Sequence, residues 1–115
     1  MKIAEVRELV EGTIVNGTVP DTDLQVQYGF ASDLMSDVLT VTADGVLLIT
    51  GLSNAQTVRT AVMSDIHVIL ICRDKRVTAE MQALAETHDV ALITTAYSVF
   101  RAVGVLFDAG LKPIF

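Results

Sequence analysis

Along the first dozen residues, apolar side chains recur three and four apart at Ile3, Val6, Leu9 and Val10, with Glu5, Glu8 and Glu11 on the other faces. That spacing predicts a short amphipathic helix stopped by Gly12. The period then shortens. Residues 13–17, TIVNG, are β-branched and end in a turn dipeptide. Residues 24–30, LQVQYGF, alternate Leu24, Val26, Tyr28 and Phe30 with Gln25, Gln27 and Gly29. Two strands are expected, joined by the polar loop 18–23, the second with one wet face or at a sheet margin. Ser32 is placed to cap a helix that turns Leu34, Met35, Val38 and Leu39 inward, with Asp33 near its positive end and Asp37 one turn on.

From residue 46 the alternation disappears. VLLIT (46–50), HVILIC (67–72) and VALIT (90–94) are short unbroken apolar runs, each followed by about a dozen residues at helical spacing. Strands buried on both faces of a parallel sheet have this character, so the segment is βαβαβα. Its helices have readable starts. Ser53 and Gln56 make a Ser-x-x-Gln capping box, Thr78 precedes Met81 and Leu84, and Thr95 precedes Val99, Val103 and Leu106, with Gly110 and Pro113 beyond the last helix. The expected total is an α/β fold with a mixed sheet of about five strands, its C-terminal βαβαβα part parallel.

A chain of 115 residues is the size of one domain, and no linker, repeat or low-complexity segment divides it, so residues 1–115 read as a single domain. Apolar residues make up 51% and charged residues 19%, which fits a folded core rather than a disordered chain. With 8 Lys and Arg against 14 Asp and Glu, the formal charge is -6, which opposes binding to nucleic acid or to an anionic membrane face. The start, MKIAEVRELVEG, lacks the apolar stretch of an export signal, and no run is long enough to span a bilayer, so a cytoplasmic, membrane-free protein is expected. Asn16-Gly17-Thr18 matches a glycosylation acceptor, but without an export signal it reads as a turn. Cys72 is the only cysteine, which excludes an intrachain disulfide and a thiolate-rich metal site.

Ligands of open parallel sheets collect beyond the carboxyl ends of the strands, where helix N-termini converge. Here those ends hold Thr50, Gly51, Ser53 and Asn54, then Cys72, Arg73, Asp74, Lys75 and Arg76, then Thr94, Thr95 and Ser98. Pooled amides, hydroxyls and an arginine fork suit a phosphate or carboxylate. Neither Gly-x-x-x-x-Gly-Lys-Ser/Thr nor Gly-x-Gly-x-x-Gly occurs, so the stretch from Thr50 to Val58 is either an anion cradle or only a turn with a capped helix. Asp33 and Asp37, four apart, are either an acid pair able to hold a divalent ion or solvated acids at a helix start. Cys72, His67 and His88 read as structural, and no nucleophile–base–acid order or metal-ligand spacing emerges, so no catalytic residue, metal or cofactor is expected. Gly104 interrupts the last helix, which predicts a close neighbour there. Phe100, Phe107 and Leu111 beside it are either core or a dimer face.

Three stretches, GFASDLMSDVL (29–39), LLITGLSNAQTVRTAVMSDIHVILICRDKRV (47–77) and ALITTAYSVFRAVGVLFDAGL (91–111), resemble DRTGG-domain proteins over nearly the whole chain. More narrowly, they are similar to small stand-alone members encoded beside iron hydrogenase and electron-transfer subunits. The resemblance implies a three-layer α/β/α fold akin to the N-terminal domains of HPr kinase/phosphorylase and certain Mur ligases. It also implies a regulatory or ligand-sensing module rather than an enzyme. Matched residue by residue, it carries over Ser32, Asp33, Ser36, Asp37, Gly51, Thr94, Thr95 and Ser98. The sequence departs from the family name, having no Asp-Arg-Thr-Gly-Gly, and carries Gly51-Leu52-Ser53 and Cys72-Arg73-Asp74 where relatives have Gly-Asp-Arg and Thr-Gly-Gly type turns. The expected function is a non-catalytic homodimeric module that senses a small anionic ligand such as a nucleotide. The alternative is a structural adaptor docked on a redox-enzyme subunit without a ligand.

Overall fold

The apolar runs that lack alternation become the centre of the sheet. A computed structural model describes residues 1–15 and 24–115, and the expected turn at Asn16-Gly17 and the loop 18–23 lie outside the described residues. In chain order the elements are α1 (Ile3–Leu9), β1 (Thr13–Ile14), β2 (Tyr28–Ala31), α2 (Met35–Val38), β3 (Val46–Thr50), α3 (Ala55–Met63), β4 (Val68–Ile71), α4 (Ala79–Thr87), β5 (Ala91–Thr94), α5 (Val99–Asp108) and β6 (Lys112–Pro113). They form one mixed sheet in the order β1-β5-β4-β3-β2-β6. Every neighbouring pair is parallel except β1 with β5.

All five residues of β3 and all four of β4 are buried, as strands covered on both faces must be. Their alternation splits the core in two. Leu47, Ile49, Leu70 and Ile93 pack with Ile3, Val6, Ala102 and Leu106 from α1 and α5. Leu48, Ile69, Ile71 and Leu92 pack with Val38, Val58, Ala61 and Met81 from α2, α3 and α4. The result is a three-layer α/β/α fold. Each Leu or Ile withdrawn fully from water in this way contributes about 1.5–3 kcal/mol.

Among the described residues the sheet has six strands, one more than the about five expected. The sixth, Lys112–Pro113, carries no apolar alternation; it is placed by Lys112 N donating to Gln27 O at 3.1 Å. The first two strands, expected in succession, flank opposite sides of the sheet, β1 antiparallel to β5 and β2 parallel to β3. In α2 only Val38 is buried, whereas Leu34 and Leu39, expected inward, are exposed. A four-residue helix has one inward position, and Val38 takes it.

Helix ends follow one device. The amide two residues past the C-cap reaches back to the carbonyl five residues earlier in α1 (Gly12 to Arg7, 2.8 Å), α3 (Ile66 to Ala61, 2.8 Å), α4 (Val90 to Ala85, 2.8 Å) and α5 (Leu111 to Leu106, 3.0 Å). The left-handed residue at each turn is Glu11, Asp65, Asp89 and Gly110. Gly12, expected as the stop of α1, is one position past it. Glycine is required there for another reason: a Cβ would lie 2.7 Å from Thr94 O, a backbone atom that cannot swing aside. Gly104 shows the converse, since a Cβ there would meet no atom within 4 Å, so the close neighbour expected beside it is not supplied by the described chain.

Candidate functional site

Because β2 to β5 are parallel and in register, their carboxyl ends lie along one rim, with Thr50, Ile71 and Thr94 side by side. The loops from Ser32, Gly51, Cys72 and Thr95 rise from that rim. The amide donors expected to pool there are engaged within the chain. Asp33 reaches across from the end of β2, and its Oδ1 accepts from Thr50 Oγ1 at 2.7 Å and from Gly51 N at 2.8 Å. Leu52 N donates to Thr50 Oγ1 at 3.1 Å. Arg73 N donates to Tyr97 O and Asp74 N to Thr95 O, both at 2.9 Å. Arg73 and Asp74 both adopt left-handed backbone angles, φ 72 and 55. Two such non-glycine residues in succession are costly, and these hydrogen bonds to the β5–α5 loop hold them. The corner at Thr50–Gly51 is therefore a turn filled by the chain's own carboxylate, not an open phosphate cradle.

The caps differ from expectation by one and by three residues. Ser53 does not cap α3; its hydroxyl donates to Arg76 O at 2.5 Å, tying the β3–α3 turn to the basic loop. Asn54 is the N-cap, its Oδ1 accepting from Thr57 N at 2.9 Å. Thr95 does not cap α5; it is buried, and its hydroxyl donates to Val10 O at 2.6 Å, 85 positions away in sequence. Ser98 is the cap, accepting from Arg101 N at 3.1 Å. Thr78 caps α4 as expected, accepting from Met81 N at 3.2 Å. Ser32 caps no helix either, since the N-cap of α2 is Leu34; its hydroxyl accepts from Leu34 N at 3.0 Å and orders the turn that presents Asp33.

The electrostatics follow from these bonds. Donation from Thr50 and from the Gly51 amide, with the Lys75 charge as a smaller aid, holds the Asp33 carboxyl below its usual range. Desolvation, and secondarily the Asp33 charge, pushes the Cys72 thiol up to about 11. Cys72 is buried and is no nucleophile at neutral pH. Arg73, Asp74, Lys75 and Arg76 are exposed above the rim. Ser36 and Asp37 are exposed on α2, Thr50 is fully buried, and Thr94 is partly buried. Thus the structure ties Asp33 to Thr50 and Gly51, ties Ser53 separately to Arg76, and leaves Asn54, Arg73 and Ser98 exposed on the margin of the same rim. Among the described residues, no group of three or more His, Cys, Asp and Glu is placed to hold a metal ion.

Residue-type reasoning missed a second cluster on the same rim. The Arg101 guanidinium lies 3.9 Å from the centre of the Tyr97 ring, and Tyr97 donates its hydroxyl to Glu11 Oε2. That acceptor is the first cause raising the Tyr97 pKa. The signal available in the sequence was the spacing of four between Tyr97 and Arg101 at a helix start. Glu11, 86 positions away, had no local signal.

The family model of the DRTGG domain matches residues 5–109. No curated protein matches in sequence. Among solved structures, the chain is similar to the CBS and DRTGG domains of the regulatory region of a Clostridium perfringens pyrophosphatase, complexed with its activator diadenosine tetraphosphate. The likeness has a TM-score of 0.77 at 12% identity and covers 98% of this chain and 48% of that one. The chain thus spans about half the length of that neighbour. No helix among the described residues is long and apolar enough to cross a membrane.

Proposed function

This chain belongs to the DRTGG-domain family, and we propose that it is a non-catalytic regulatory module, working as a homodimer, whose carboxyl-end rim receives a nucleotide. The observation that carries the reading is the fixed Asp33 carboxylate beside the exposed basic loop. Its Oδ1 is held by Thr50 and Gly51, while Oδ2 has no protein donor among the described residues. Arg73, Lys75 and Arg76 offer charge to an anionic group, and Ser53 and the left-handed backbone at Arg73 and Asp74 hold that loop in place. A ligand with an anionic end and a hydroxyl-bearing end matches such a bipolar rim; the sugar hydroxyls of a nucleotide would donate to Asp33 while its phosphates meet the arginines. Asn54 and Ser98 border the same rim as side chains able to bond a ligand. The regulatory region of the pyrophosphatase, complexed with a dinucleotide activator, lends support by fold.

The test is calorimetric titration with diadenosine tetraphosphate, ATP, AMP and inorganic pyrophosphate. Saturable binding of a nucleotide, weakened about tenfold or more by Arg73→Ala and by Lys75→Ala, is expected from the loss of a charge-assisted bond. Binding unaffected by both substitutions, or no binding, overturns the rim as a ligand site.

A further inference from the structure

Helix α5 carries on its outer side a pattern that the fold of one chain leaves unused. Phe100, Arg101, Gly104, Phe107 and Asp108 are all exposed, Phe100 at 90% and Phe107 at 64%. At 3.6 residues per turn, with Gly104 as the reference, Phe100 and Phe107 fall about 40° and 60° to one side, and Asp108 and Arg101 about 40° and 60° to the other. The face therefore has three stripes: aromatic, bare backbone and charged. Glycine in mid-helix weakens the helix relative to alanine, and nothing in the described chain approaches the space where its side chain would be.

We propose that this face is a self-pairing surface, with α5 packed antiparallel against α5 of a second copy across a two-fold axis beside Gly104. The face is complementary to itself in this arrangement. A two-fold axis there brings a residue four before Gly104 next to one three or four after it in the copy. Phe100 then meets Phe107 of the second copy, and Arg101 meets Asp108 of the second copy, each pair within about 1.5 Å of the same height along the axes. Both contacts occur twice, as an isologous interface requires. A parallel pairing of the same face would set the aromatic stripe of each copy against the charged stripe of the other, Phe100 beside Arg101 and Phe107 beside Asp108, which leaves both charges without an opposite partner at the contact.

A receptacle for the aromatic knob is also present. Beside Phe107 lies a shallow apolar cleft of about 80 Å³, lined by Gly29, Ala31, Val103, Leu111 and Pro113 among others. In the antiparallel arrangement, Phe100 of the second copy arrives level with residue 108, between Phe107 and Leu111, over this cleft. A rigid aromatic ring in an apolar pocket is the usual anchor of a stable interface. Gly104 facing its own copy removes the side chains that would hold the two helix axes apart.

This assignment rests on the homodimeric part of the function proposed above and says which surface forms it. The test is light scattering coupled to size exclusion at high micromolar concentration, on the wild type, Phe100→Asp, Arg101→Asp, Asp108→Arg and the Arg101→Asp/Asp108→Arg double variant. The expected wild-type mass is twice the 12.4 kDa of one chain. Phe100→Asp, at a solvent-exposed position, is expected to give a folded monomer by circular dichroism. Each single charge reversal is expected to weaken dimerisation about tenfold and the double reversal to return it close to wild type. A dimer that survives Phe100→Asp, or a double reversal no better than the singles, overturns the α5 interface and leaves the homodimer standing. A wild-type monomer overturns both.

Discussion

The Oδ1 atom of Asp33 lies 2.8 Å from the amide nitrogen of Gly51, 18 positions away, and occupies the place an external anion would need. The end of β2 is thereby fastened to the end of β3 by a charge-assisted bond outside the sheet ladder. Replacing Asp33 by Ala is expected to lower stability by about 1 kcal/mol, below the usual range for bonds to a charged group because the carboxylate is exposed and screened by solvent. Thermal or urea unfolding of the variant measures it.

The same contact has a pH signature. The folded-state pKa of Asp33 lies below its unfolded value, so its ionised form stabilises the fold fully above about pH 4, the unfolded carboxylate range. That contribution is lost as pH falls through the lower folded value. The stability gap between wild type and Asp33→Ala is therefore expected to be constant from pH 5 to 8 and to narrow on acidification below about pH 4. A gap that is unchanged at the acid limit would remove the ionised latch.

Cys72 ends β4 fully buried, with its thiol pushed up to about 11. A thiol reagent at neutral pH is expected to leave the native protein unmodified for as long as it stays folded, and to label one cysteine at once in denaturant. Fast labelling of the folded chain would show that the rim opens to solvent.

The helix caps separate two residues that look equivalent in sequence. Asn54→Ala removes the acceptor of Thr57 N and is expected to cost about 1 kcal/mol. Ser53→Ala leaves that cap intact and instead frees Arg76 O, so under the proposed nucleotide-binding role its effect should appear in nucleotide affinity more than in the melting temperature. Equal destabilisation by the two would return the capping role to Ser53.

These cases mark where sequence reasoning reached and where it stopped. The buried strands 46–50, 68–71 and 91–94 were legible because a parallel strand covered on both faces leaves an unbroken apolar run. The helices between them were legible because their caps are short polar residues, although the capping residue shifted from Ser53 to Asn54 and from Thr95 to Ser98. In both cases the polar cluster offers several hydroxyls or amides within five positions, and tertiary contacts decide which is free to cap. The two-residue strand at Lys112–Pro113 has no pattern of its own and is set by its neighbour β2. The Asp33 latch was similarly hidden, because the pairing of a loop acid with an amide 18 residues away depends on β2 lying beside β3.

Thr95 shows how far such a contact can reach. Its hydroxyl donates to Val10 O at 2.6 Å and accepts from Tyr97 N at 3.1 Å, so one buried side chain joins the end of α1, the end of β5 and the start of the α5 loop. Valine has nearly the same shape but neither hydrogen-bonding function. Thr95→Val would leave the Val10 carbonyl and the Tyr97 amide without these partners, and a cost of about 1–3 kcal/mol is expected from the unmet carbonyl alone. Thr95→Ser keeps the hydroxyl and should recover most of that loss. Hydrogen exchange gives the sharper reading: in Thr95→Val the Tyr97 amide and the Arg73 amide, which donates to Tyr97 O, should lose protection, while those of β3 keep theirs. Uniform loss of protection across the sheet would instead mean that the substitution acts through global stability, and that Thr95 does not specifically organise this corner of the rim.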